Sequence, residues 1–195
     1  WVELLNEVAE VGLVDLIALT GDLSSTGRGE EFSALTPFLE RTCARLGVSA
    51  DRLFVVPGDR DVGPALTSSQ EARLIALASR DPGGVSAWIA GCGPPPAGAD
   101  PGWSAAIFAR QRSFWGWLRD ELQQPERRAV DALGYHANIP IAGSHAQVQV
   151  YGLNSAWLSS QNLPGGAALL GREQVSAIVH DASGAARPGF RLALV

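Results

Sequence analysis

Lysine and methionine are both missing from the 195-residue chain, and cysteine occurs only twice. All 15 basic residues are therefore arginine. That excludes the Walker-A phosphate loop, Schiff-base chemistry and the Ser-x-x-Lys acyl-transfer enzymes. Cys43 and Cys92 form no disulfide framework and no CxxC or zinc-finger spacing, which makes a reducing, cytoplasmic setting the expectation. Charge is sparse as well: charged residues are 18%, the net charge is −5 and the pI about 5.2. Such a balance leaves no electrostatic footprint for loose binding to DNA or anionic lipid. The longest uncharged stretch, 146–171, is interrupted by Gln, Asn, Ser and Pro, so no membrane span is expected. There is no Gly-x-Ser-x-Gly elbow and no His-Glu-x-x-His, and Gly27-Arg28-Gly29 lacks the third glycine of a dinucleotide loop.

What is present is core-forming material. Hydrophobic residues make up 46%, and 22 Gly with 12 Pro predict many turns around one domain spanning 1–195. The chain opens at Trp1 inside an amphipathic stretch and closes at Val195 inside an apolar run, without an initiator Met. It reads as a domain cut from a longer polypeptide.

Residues 13–20 form a nearly continuous apolar run, expected as a strand buried on both faces. From 30 to 46 the apolar positions Phe32, Leu35, Phe38, Leu39, Cys43 and Leu46 step by threes and fours, predicting an amphipathic helix. A second buried strand follows at 53–56, and strand, helix, strand is the signature of a parallel βαβ unit. Further on, 70–79 is expected as a helix, 81–103 as a surface insertion, and 104–122 as one long helix. Strands are expected at 137–141 and 147–153, the second with one wet face, then a helix over 172–182 and a buried strand from 190.

Both strands of the βαβ unit end in Gly-Asp: Thr20-Gly21-Asp22-Leu23-Ser24 and Pro57-Gly58-Asp59-Arg60-Asp61-Val62. Adjacent parallel strands deliver their C-terminal loops to one edge, where α/β folds place ligands. Three carboxylates, Asp22, Asp59 and Asp61, would repel one another there unless a divalent cation such as Mg, Mn, Fe or Zn resolved the repulsion. Gly-Asp is also an ordinary turn dipeptide, and Asp commonly caps a helix. The residues alone leave both readings open.

At this point the chain resembles a family. The segment from Asp15 through Ser24 resembles the second motif of the calcineurin-like metallophosphoesterases. Phe54-Val55-Val56-Pro57-Gly58-Asp59-Arg60-Asp61-Val62 is similar to the segment in which they carry Val-Pro-Gly-Asn-His-Asp, and Tyr151-Gly152-Leu153-Asn154-Ser155 resembles a later strand. The resemblance implies an α/β fold, the αββα sandwich, here truncated at both ends. The family's first Asp-x-His would precede Trp1 and its last histidines would follow Val195. It also implies metal-assisted hydrolysis of a phosphomonoester or phosphodiester by a hydroxide held between two divalent cations. Asp22 falls on the bridging metal ligand and Asp59 on a metal-binding Asn. Arg60 takes the place of the His that assists the leaving group, and Asp61 that of the acid orienting this His. Asp61 is then expected to pair with Arg60. An arginine holds a phosphate oxygen but donates no proton at neutral pH. The alternative is a weak or inactive phosphoesterase fold that senses or binds within a larger protein. The implied partners are a phosphoester substrate and other domains of that protein, with nucleic acid only as substrate.

The remaining signals read blandly. His136, His145 and His180 have no partner at ligand spacing. Arg110, Arg112, Arg119, Arg127 and Arg128 near Trp115 and Trp117 mix basic and aromatic character, but Asp120, Glu121 and Glu126 interleave with them, as on a solvated helix face. Trp117 lies off the apolar stripe and invites a partner.

Overall fold

A computed structural model describes residues 2–63, 66–124, 133–141, 145–159, 168–180 and 183–195. Over these residues the chain is mixed α/β. Helix α1 (Val2–Val11) leads into strand β1 (Ile17–Leu19), helix α2 (Gly29–Leu46) and strand β2 (Leu53–Val55). β1 and β2 pair in parallel, Ile17 opposite Leu53 and Leu19 opposite Val55, so the expected βαβ unit is present. α2 starts where it does because the Glu31 carboxylate turns back over the preceding loop and accepts from the N–H groups of Ser25, Thr26 and Arg28. Those donors would otherwise be unsatisfied at the helix start.

Alternation along β2 builds two cores at once. Leu53 and Val55 meet Phe32, Leu39 and Cys43 of α2 and Phe114, Trp117 and Leu118 of a later helix. Phe54 and Val56 face the opposite way, onto Tyr135, Ile139, Val150 and Leu194. Those four belong to a second sheet, in which β3 (Gly134–Pro140) runs antiparallel to β4 (Gln147–Leu153) and β5 (Phe190–Leu194) runs parallel to β4. Its far face, Tyr151 and Leu153, is covered by Ile178 of a helix spanning Arg172–Val179. The Tyr135 hydroxyl joins the sheets, donating to the Val55 carbonyl and accepting from its N–H, both at 3.0 Å. Gln124, outside both sheets, also donates to the Leu53 carbonyl.

Between the sheets' strands in sequence lie α3 (Ser68–Arg80), α4 (Pro82–Ile89), α5 (Trp103–Ala109) and α6 (Arg112–Asp120); the Arg172–Val179 helix is α7. Two sequence expectations change here. The segment 81–103 is not wholly a surface insertion: Asp81 caps α4 by accepting from Gly84 N, Pro82 sits at its first turn, and Val85, Trp88 and Ile89 are buried against α3. The dense Gly and Pro hid an i, i+3, i+4 apolar stripe. The single helix expected over 104–122 is two, broken at Arg110-Gln111, whose side chains are buried and serve other loops.

Smaller corrections have local causes. β1 is shorter than 13–20 and only half-buried, with Leu13 98% exposed, because β2 is its one strand neighbour among the described residues. The wet face expected for β4 is covered at Gln149, which bonds His136 and the Pro188 carbonyl. β5 is largely exposed rather than buried, as the outer strand beside β4. Trp117 stacks on Phe32 at 5.4 Å and donates to Thr36, so it needs no further partner. Arg110 is buried and Arg119 pairs with its neighbour Asp120, whereas Glu126, Arg127, Arg128 and the 181–182 end of the last expected helix lie outside the described residues. Among the described residues no helix is long and apolar enough to cross a membrane.

Candidate functional site

Because β1 and β2 are parallel, both Gly-Asp loops leave the same edge of the pair. The loops touch through their glycines. A Cβ on Gly21 would lie 2.5 Å from the Gly58 Cα, and Gly21 also has φ +103. Gly58 has ordinary extended backbone, so only space requires it to be glycine: a Cβ there would run into the Asp22 amide and lie 2.6 Å from Asp22 Oδ1. The carboxylate of Asp22 thus lies across the Gly58 backbone. Asp22 itself is left-handed, φ +58, a conformation that Asp adopts more readily than most residues but that still marks a held geometry.

This arrangement brings Asp22 against Asp59. Partial burial pushes the Asp22 carboxyl above its ordinary value of 3.8. A hydrogen bond with Asp59 and the charge of Asp59 push it further, and the charge of Asp61 adds to them. The Arg60 amide, which bonds the Asp22 carboxylate, opposes the rise. Asp22, in the loop after β1, and Asp59 and Arg60, in the 3-10 turn Asp59–Asp61 after β2, are all exposed. Two exposed carboxylates held this close are a repulsive pair that a hard cation, or a shared proton, relieves.

Asp61 is placed differently. It has no solvent exposure, and its Oδ1 accepts from the Ser24 N–H at 2.8 Å and lies 3.0 Å from the Ser24 hydroxyl. Its Oδ2 accepts from Gly58 N–H at 2.9 Å. The Asp61 carboxylate is a brace: it accepts from Ser24 and Gly58 and fastens the two Gly-Asp loops together. The Ser24 hydroxyl also lies 3.1 Å from the Arg60 carbonyl and accepts from Gly27 N–H, so one buried pair orders both loops. The third segment of the resemblance comes close too, since the turn Ala156–Leu158 after β4 packs on the Asp59–Asp61 turn.

The donor set fits a cation in part. Asp22 and Asp59 offer hard oxygens side by side, while both oxygens of Asp61 are occupied by protein donors. Among the described residues no group of three or more His, Cys, Asp or Glu side chains is arranged to hold a metal ion. His136 bonds Gln149, His180 bonds Ser176 at the end of α7, and His145 stands exposed. Two cavities, of about 430 Å³ beside Cys43 and Leu53 and about 470 Å³ beside Cys92 and His180, are lined by none of the three aspartates. The Asp22, Asp59 and Arg60 side chains of the candidate site are exposed. Sequence reasoning gave Ser24 no role within its loop, read Arg110 as part of a solvated helix face and passed over Gln111; the visible signal for the last two was polar residues placed inside the apolar stripe of 104–122. No family model, curated protein or solved structure matches the chain.

Proposed function

We propose that the chain is a metal-dependent phosphoester hydrolase of the calcineurin-like type, acting on a phosphomonoester or phosphodiester. The layer order supports the αββα reading: α2 and α6, then β1–β2, then β3–β4–β5, then α7. The observation that carries the proposal is the apposition of Asp22 and Asp59 across the Gly21–Gly58 contact. Asp22 and Asp59 would hold the cations, which supply Lewis acidity and an activated water when bound. Arg60, exposed on the same turn, would bind a non-reacting phosphate oxygen with its fork of donors and steady the charge that builds up in transfer. It cannot protonate a departing alkoxide, so the leaving group must depart on its own stability. Asp61 works behind the edge, holding both loops in place.

A second reading is a weak or inactive member of the same fold that binds an anion and a metal without turnover. It is favoured by Arg60 standing where an acid would be needed, and by the commitment of Asp61 to Ser24 and Gly58. Hydrolysis of bis(4-nitrophenyl) phosphate in Mn²⁺ separates the two. The enzyme reading expects Mn²⁺-dependent turnover lost in Asp59→Ala. Phosphate and Mn²⁺ binding without turnover supports the second reading, and no binding of either contradicts both.

A further inference from the structure

We propose that Arg110, at the break between α5 and α6, is a positioning residue that clamps the Asp59–Asp61 turn; the inference rests on reading that turn as part of the site. Four contacts converge on it. Its guanidinium pairs with Glu71 at 3.0 Å, each side chain 2% exposed. Nη2 donates to the Ser159 carbonyl at 2.6 Å, and Nε donates to the Gly63 carbonyl at 3.3 Å. The Arg110 carbonyl in turn accepts from Gly63 N–H at 2.8 Å. Both backbone groups of Gly63, two residues past Asp61, are therefore held by one residue.

From Gly63 the hold passes to the other loop. A Cβ on Gly27 would lie 2.5 Å from Gly63 N, so the backbone behind Ser24 rests directly on the clamped backbone behind Asp61. On the far side, Ser159 ends the 156–159 segment that packs on the same turn. Gln111, the next residue, trades two amide bonds with Asn154 at the end of β4. The helix break thus fastens the ends of β2 and β4 to each other. A buried ion pair is weak evidence for stability in itself, since apolar residues of similar volume often replace one at no loss. What they cannot replace is the fixed geometry of three directed donors, and a lysine cannot span it either.

The test uses Arg110→Met/Glu71→Leu, which removes the pair without leaving a buried charge, and Arg110→Lys, which keeps the charge. The expected result is a cooperative thermal transition, with amide exchange at Ser24, Gly58, Asp61 and Gly63 about tenfold faster or more and that of α2 unchanged. Mn²⁺ affinity at the carboxylate pair should fall in parallel, whereas the remote core change Ile178→Val should move neither readout. Unchanged exchange at the four amides in either folded variant overturns the clamp. If the parent chain binds no Mn²⁺, the metal reading fails, and exchange alone still decides the clamp. Faster exchange with unaltered Mn²⁺ affinity overturns the positioning role.

Discussion

Asp22 is in the left-handed region with its carboxylate pressed toward Asp59, and a single substitution separates its cost from its use. Asn tolerates the same backbone, keeps an acceptor for the Arg60 amide and removes one of the two like charges. In metal-free buffer Asp22→Asn should therefore melt at or above the temperature of the parent, while Mn²⁺ binding weakens sharply. A lower melting temperature would show that the charge serves the fold. Gly58→Ala asks about space instead: φ is acceptable to alanine, but the new methyl group meets Asp22 Oδ1. Overpacking of this kind costs about 1–3 kcal/mol and should appear in denaturant midpoints together with loss of Mn²⁺ binding. Arg60→His should raise turnover of alkyl or nucleoside diesters about 10²-fold, the low end for general acid catalysis, and change nitrophenyl diesters much less. Equal effects on both substrates would mean that Arg60 acts by charge alone.

At the scale of elements, the start of α2 carries a pH dependence of known sign. The Thr26 hydroxyl, and then the amides of Arg28, Thr26 and Ser25, hold the Glu31 carboxyl below its ordinary value of 4.5. A depressed carboxylate contributes stability that is full above the unfolded value and lost as pH falls through the lower folded one. Protection of the Ser25 and Thr26 amides, measured against their intrinsic exchange rates at each pH, should therefore fall on acidification below pH 4.5, and Glu31→Gln should flatten that response. Insensitivity to acid in the parent would refute the assignment. The same elements show what a sequence discloses. α2 and β2 were legible because their apolar periods match their burial, and the Gly-Asp pairs because they follow two strands of one βαβ unit. α4 was hidden by its glycines, and the break at Arg110-Gln111 by the fact that its partners, Glu71, Gly63, Ser159 and Asn154, are far away in sequence. The brace between Asp61 and Ser24 spans 37 residues, and no local pattern announces it.

Across the whole molecule, β2 is the common reference. One of its faces sits on α2 and α6, the other on the β3–β4–β5 sheet, and its end carries Asp59 to the edge where β1 carries Asp22. Everything placed behind that edge restrains motion: the buried Asp61, the Tyr135 bridge, the Arg110 clamp and the Ala156–Leu158 turn. Exposed at that edge are the carboxylates of Asp22 and Asp59 and the Arg60 side chain. Such a frame suits a cation held by Asp22 and Asp59, and that claim is open to one direct measurement: calorimetric titration of the chain with Mn²⁺ beside Asp22→Asn. The account predicts a weak, saturable isotherm for the parent and none for the variant. Indistinguishable isotherms for the two would contradict it.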